Sequence, residues 1–236
     1  MRSSLVYYIT SLPALVDLES DPPLAPAELL AHLAEQVTAS ELIEAIFLHG
    51  DLMQREAVLS GEVEKPTAVV LSDEQVRNEA PLPEYLAESD DETDAESRPV
   101  AVDTLWQRYF TYLAGLADKR KSRLLKQFVS FEVGLRNALA TARAQALELD
   151  PHDYRVADEL DDGGHDYTDT LSQWSSAADP LAGMEVLMRA RWEWVNANEP
   201  WFQFSDDELA AYAAKLMIID QYQRLAEARQ TSPVSP

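Results

Sequence analysis

Cysteine is absent from this chain, which excludes a disulfide framework, a thiolate metal site and a thiol nucleophile, and fits a reducing compartment. Glycine occurs only seven times in 236 residues, and none of the spacings is that of a dinucleotide-binding turn or a phosphate-cradling loop. Basic residues are outnumbered by acidic ones, 19 to 42, giving a formal net charge of -23. A field of that sign repels phosphate backbones and anionic lipid surfaces, so nucleic acid is not an expected partner. No apolar run approaches the roughly 20 residues of a bilayer-spanning helix. The opening MRSSLVYYITSLP lacks the small-residue cleavage pattern of a signal peptide, and a cytoplasmic location is expected.

Catalytic signatures are equally scarce. There is no Gly-x-Ser-x-Gly elbow, and none of His32, His49, His152 and His165 follows a glutamate by three positions as a di-iron bundle requires. Glu28 and His32 share a helical face, an arrangement that suits a surface hydrogen bond better than a metal site. Asp158, Asp162, Gly163 and Asp169 fall on four positions of a calcium loop. Leu160 stands where a ligand is needed, and the twelfth position lacks the longer glutamate, so an acidic solvated turn is expected there. No cofactor, metal or enzymatic activity is predicted.

What the chain does have is helical periodicity. From Asp103 to Leu149 apolar residues recur in steps of four and three: Trp106, Phe110, Leu113, Ala117, then Leu124, Phe128, Phe131, Leu135, Ala138 and Ala142, interrupted only where Arg120 occupies the stripe. As one helix this stretch would span about 70 Å. Cations at Lys119, Arg120, Lys121, Arg123 and Lys126 disfavour a new helix beginning there, because they oppose the macrodipole. The expectation is therefore one long or kinked helix capped by Asp103, with Gly115 and Asp118 as the weakest points.

Shorter helices are predicted over residues 27–36 and, from a Thr38/Glu41 capping box, to about Leu59. Ala68–Leu71 is a candidate extended piece, and Ser72 with Gln75 starts another brief helix. Pro180 opens a helix to about Ala197, and a Ser205/Glu208 capping box opens the last one, to about Arg229. Residues 84–98 carry seven carboxylates before Arg98. Self-repulsion makes them a solvated linker, or else a docking arm for a basic partner. The expected organisation is an N-terminal helical lobe at 1–83, the acidic linker at 84–102, a C-terminal lobe at 103–230 and a loose tail at 231–236. The fold class is mainly α, an elongated helical bundle with one long central helix or a kinked helix pair.

Three groups of residues are candidates for partner binding. Lys119, Arg120, Lys121, Arg123 and Lys126 form a positive band on a negative protein, suited to an acidic partner or to the chain's own carboxylates. Arg136, Asn137 and Arg143 lie on the same helical stretch, for hydrogen bonds between helices or across an interface. Trp192, Trp194, Trp201, Phe202 and Phe204 bracket the last helix corner, as core packing or as an exposed knob.

The opening Tyr7-Tyr8-Ile9-Thr10-Ser11-Leu12-Pro13 with Pro22-Pro23-Leu24, the central Leu135-Arg136-Asn137-Ala138-Leu139 with Arg143-Ala144, and the closing Leu209-Ala210-Ala211-Tyr212 with Lys215-Leu216 resemble a bacterial family whose genes sit in V-type ATPase operons. That family looks like a shortened relative of the C-type component of V/A-type ATPases, the d-type component of the eukaryotic enzymes. The resemblance implies an all-helical, non-catalytic protein that couples the rotor shaft to the membrane ring carrying protons or sodium ions. Its partners would be the central-shaft and membrane-ring subunits, met at the cytoplasmic face of the inner membrane without insertion. The alternative is an unrelated cytoplasmic helical adaptor or assembly factor that binds proteins only.

Overall fold

The computed structural model describes residues 2–87 and 101–231. Most carboxylates of the acidic linker, with Arg98, and the tail beyond 231 lie outside those residues. Among the described residues the chain is mainly α, with nine α-helices and no strand. In order they are α1 (Arg2–Ser11), α2 (Pro26–His32), α3 (Val37–Leu59), α4 (Asp73–Val76), α5 (Ala101–Arg120), α6 (Arg123–Ala146), α7 (Thr168–Ser175), α8 (Pro180–Asn198) and α9 (Asp206–Thr231). No helix among the described residues is long and apolar enough to cross a membrane.

The chain forms two compact units, one from Met1–Met53, Ala68–Val70 and Ser172–Pro236, the other from Gln54–Thr67 and Leu71–Leu171. Each takes residues from both sides of the acidic stretch, where the sequence pattern had set one lobe before it and one after.

In the first unit α9 is the central element. Nearly every residue from Leu209 to Ile219 is buried, Tyr212 being half-covered, as expected of a helix surrounded by others. Alanines 210, 211, 213 and 214 keep it thin, so neighbouring helices approach closely. Gly50 of α3 takes this furthest, since a Cβ there would stand 2.9 Å from the Gln221 amide and 3.3 Å from the Met217 sulfur. In α3 every residue from Leu42 to Leu52 except the exposed Glu44 is likewise buried. The Asp51 carboxylate accepts from the amides of Val69 and Val70 at 2.8 and 2.6 Å. That anchoring bends Ala68–Leu71 over the helix, so the expected extended piece does not form.

The second unit is built on α5 and α6. The stripe from Trp106 to Leu135 is buried as its periodicity predicts, but it belongs to two helices and not to one rod. Asp103 and Trp106 near the start of α5 meet Arg136, thirteen residues into α6, which fixes the pair as an antiparallel hairpin. The reversal has a defined geometry. Lys121 adopts φ 54°, the Ser122 amide reaches back to Ala117 O at 2.9 Å, and the Lys121 amide reaches Asp118 O at 3.3 Å. This is a Schellman closure with lysine where glycine is usual. Ser122 then caps α6, its hydroxyl accepting from the Leu125 amide at 3.0 Å. The cations that argued against a helix start are outweighed by this double cap.

Other boundaries also differ from expectation. α3 starts at Val37, so Thr38 lies inside it, and Ser40 Oγ donates to Leu33 O at 2.7 Å. Asp103 sits in the first turn of α5 rather than capping it. Glu208 accepts from the Phe204 amide at 2.8 Å while the buried Ser205 hydroxyl has no hydrogen-bond partner, so that capping box is not made. Helix α7 went unanticipated. The Ser72/Gln75 box is present, and α8 begins at Pro180 with Asp179 as its cap, accepting from the Ala182 amide at 2.8 Å.

Candidate functional site

The basic cluster maps to the α5–α6 reversal. Lys119 and Arg120 close α5, where their charge favours the helix C-terminus. Lys121 forms the left-handed residue of the turn, and Arg123 and Lys126 open α6. Lys119, Lys121, Arg123 and Lys126 are exposed, and Arg120 is half-buried. Arg143 is also exposed, but it lies twenty residues further along α6, about 30 Å away at 1.5 Å per residue. Folding does not bring it to the cluster.

Arg136 and Asn137 face the interior. The Arg136 guanidinium donates to Glu56 and Asp103 at 3.3 Å each and lies 4.5 Å from the centre of the Trp106 ring. Trp106 Nε1 donates to the same Glu56. Buried Asn137 donates to Val156 O at 2.8 Å and to Asp158 at 2.7 Å, and accepts from the Val156 amide at 2.9 Å. The two side chains act as staples within this unit, the first joining α5 to α6 and the second tying the loop after α6 to its helix.

Asp158, Asp161 and Asp162 of the 158–169 loop each have partners close by. Asp158 takes Arg155 at 3.1 Å besides Asn137. Asp161 accepts from the Gly163 amide at 2.9 Å, and Asp162 from the Gly164 amide at 2.8 Å. The Gly164 amide, then Ser130, hold the Asp162 carboxyl below its ordinary pKa. Among the described residues no group of three or more His, Asp or Glu is arranged to hold a metal ion. Glu28 accepts from the Ala25 amide at 2.8 Å, while His32 approaches Ser11 and the Tyr8 ring, so these two side chains have separate partners.

The first unit holds a surface groove of about 210 Å³ between α1, the residues after it, the α8–α9 corner and α9. Its walls include Leu12, Pro13, Pro200, Trp201, Leu209 and Tyr212. The Tyr212 hydroxyl donates to Pro13 O at 3.0 Å, pinning the opening segment to the last helix. At the groove's edge Lys215 is almost covered. It pairs with Glu199 at 3.2 Å and lies 5.0 Å from the Trp192 ring centre.

The five corner aromatics divide. Trp192 and Trp194 are buried in the core, and Phe204 is half-buried. Trp201 is 65% exposed and Phe202 79% exposed, their ring centres 6.1 Å apart. Phe202 and Phe204 adopt φ of 54° and 49°, a backbone region that bulky side chains rarely enter. Local patterning does not reveal that Leu12 and Pro13 line this place. The available signal is that the opening and closing segments named above are the two that meet here.

No family model, curated protein or solved structure matches this chain.

Proposed function

We propose that this protein is a non-catalytic subunit or accessory protein of a V-type ATPase, coupling the rotor shaft to the membrane ion-translocating ring. The observation that carries this reading is the placement of the three segments on which the resemblance rests. The opening and closing ones lock together through Tyr212 and Pro13, and the central one supplies Arg136 and Asn137 as staples. In an all-helical fold these are structural joints, which is where a load-bearing component needs its defining residues. Close-packed helices compress little, so a push at one end of the α5–α6 hairpin is delivered at the other.

The exposed cations of the reversal and the acidic remainder of the surface would steer and orient partners, with apolar contacts supplying most of the affinity. The protein would then act at the cytoplasmic face of the inner membrane, held there by its partners. A second reading, an unrelated helical adaptor or assembly factor, draws on the exposed Trp201–Phe202 pair, which a protein partner would cover. Affinity purification of the tagged full chain from native cells separates the two. Recovery of central-shaft and membrane-ring ATPase subunits is the expected result, and recovery of other proteins without them overturns the ATPase reading.

A further inference from the structure

We propose that the tip of the α5–α6 hairpin is the docking site for an acidic segment of a partner protein. This rests on the protein-binding reading above and names the chemistry of one of its contacts.

The tip reverses the charge of the chain around it. Residues 104–131 hold six of the 19 basic residues and one of the 42 acidic ones, Asp118, so a chain of net charge -23 carries a locally positive end. Arg120 and Arg123 already have contacts of their own. Lys119, Lys121 and Lys126 are exposed, and among the described residues no carboxylate pairs with their ammonium groups. Three of these cations sit where local preference is against them. Lys121 holds φ 54°, a conformation that favours glycine. Arg123 and Lys126 open α6, where positive charge opposes the macrodipole. Breaches of local rules gather at functional places, and each breach here puts a cation at the surface. An anionic partner offsets the mutual repulsion of these charges.

The extent and composition of the patch select the occupant. Leu116, Ala117, Leu124 and Leu125, the apolar residues between positions 116 and 126, are all buried, so the tip has no apolar side chain to insert into a bilayer beside its cations. A nucleic acid carries its phosphates beyond so short a patch and meets the repulsion of the acidic remainder. The amides of Lys121, Ser122 and Leu125 are already donated, to Asp118 O, Ala117 O and the Ser122 hydroxyl. Recognition therefore falls to the lysine side chains and not to a backbone cradle for a lone phosphate. Each lysine presents a point charge on a flexible stem, which meets carboxylates one at a time. A short run of Asp and Glu matches the patch in sign and can end where it ends. A second copy of this chain, with its own net charge of -23, is opposed by repulsion.

The test places a photoreactive residue beside the tip of the full chain. At Gly115, one helical turn before Lys119, an added Cβ meets nothing within 4 Å, so Gly115→p-benzoylphenylalanine has room. The same substitution at Leu147, 68% exposed at the far end of α6, is the control. After irradiation in native cells, mass spectrometry identifies the crosslinked peptide. The expected adduct is a segment of another protein rich in Asp and Glu. Combining Lys119→Gln, Lys121→Gln and Lys126→Gln lowers its yield about tenfold, at about two- to threefold for each exposed pair, whereas Lys119→Arg, Lys121→Arg and Lys126→Arg together keep it. No adduct above the Leu147 control, an adduct with residues 84–98 of this chain or with a second copy, a neutral or basic partner segment, or an adduct with lipid or nucleic acid each overturns the proposal. So does a yield that the glutamine variant leaves unchanged or the arginine variant also lowers. An acidic segment from a protein outside the ATPase keeps the tip assignment and removes the ATPase reading. Copurifying ATPase subunits with no adduct do the reverse.

Discussion

The hydroxyl of Tyr212 donates to the carbonyl oxygen of Pro13 at 3.0 Å, across 199 positions of sequence. Tyr212→Phe removes this bond and keeps the ring in place, so a loss of about 1 kcal/mol is expected in urea unfolding. Burial pushes the Tyr212 pKa up from 10.0 to about 12. The folded state therefore favours the protonated phenol. That contribution is complete below pH 10 and is lost as the pH rises towards 12. Wild-type stability should fall over that interval, and Tyr212→Phe should fall less steeply. An unchanged slope in the variant would assign the alkaline loss to other tyrosines such as Tyr167, whose pKa is also raised by burial.

Lys121 occupies a left-handed conformation at the hairpin reversal. A non-glycine residue there costs about 1–2 kcal/mol, and glycine returns about 0.5–1 kcal/mol of that as unfolded-state entropy. Lys121→Gly is thus expected to raise stability by about 0.5–1 kcal/mol, read as a higher denaturation midpoint with an unchanged denaturant slope. Lys121→Val, whose branched side chain fits this region poorly, should move the midpoint the other way.

Removing Arg136 takes a cationic partner from the carboxylate of Asp103, whose side chain is only 10% exposed. Breaking a fully buried pair costs about 3–5 kcal/mol. With Arg136 27% and Glu56 35% exposed, a loss of about 2–3 kcal/mol is expected for Arg136→Ala. The double variant with Asp103→Asn should be less destabilised than the sum of the singles, since each single variant already removes the contact the two share. Strict additivity in that cycle would show that the pair is not coupled.

Asn137→Ala leaves both the amide and the carbonyl of buried Val156 without their side-chain partner. At about 1–3 kcal/mol for each uncompensated group, partly relieved by water, a total near 2–4 kcal/mol is expected. Hydrogen exchange should show the Val156 amide losing protection first, ahead of the α6 amides on either side.

Much of the helical content was legible because its signals are local. The Ser72/Gln75 cap, the Pro180 start and the Leu59 end depend on residues a few positions apart, and the structure has all three. The α5–α6 break was not legible. Ala117 and Leu124 stand seven positions apart, so the apolar phase is the same whether the chain continues or reverses, and Lys121 gives no glycine signal at the turn. The apparent Ser205 cap failed for a related reason: Glu208 had a nearer donor in the strained Phe204 amide.

The candidate sites divide in the same way. Arg136 and Asn137 were recognisable as hydrogen-bonding residues on an apolar helix, but their partners Asp103, Glu56 and Val156 were not. The corner aromatics stood out as a group, and only folding separated the buried Trp192 and Trp194 from the exposed Trp201 and Phe202.

By itself the sequence determined that this chain is helical, acidic and free of thiol chemistry, because composition and a 3.6-residue period act over a turn or two of backbone. The tertiary structure decided where the long apolar stretch reverses, which aromatics remain in water, and that Pro13 meets Tyr212 beside a groove. Those outcomes depend on which helix covers which, and contacts between distant segments leave no periodic trace along the chain.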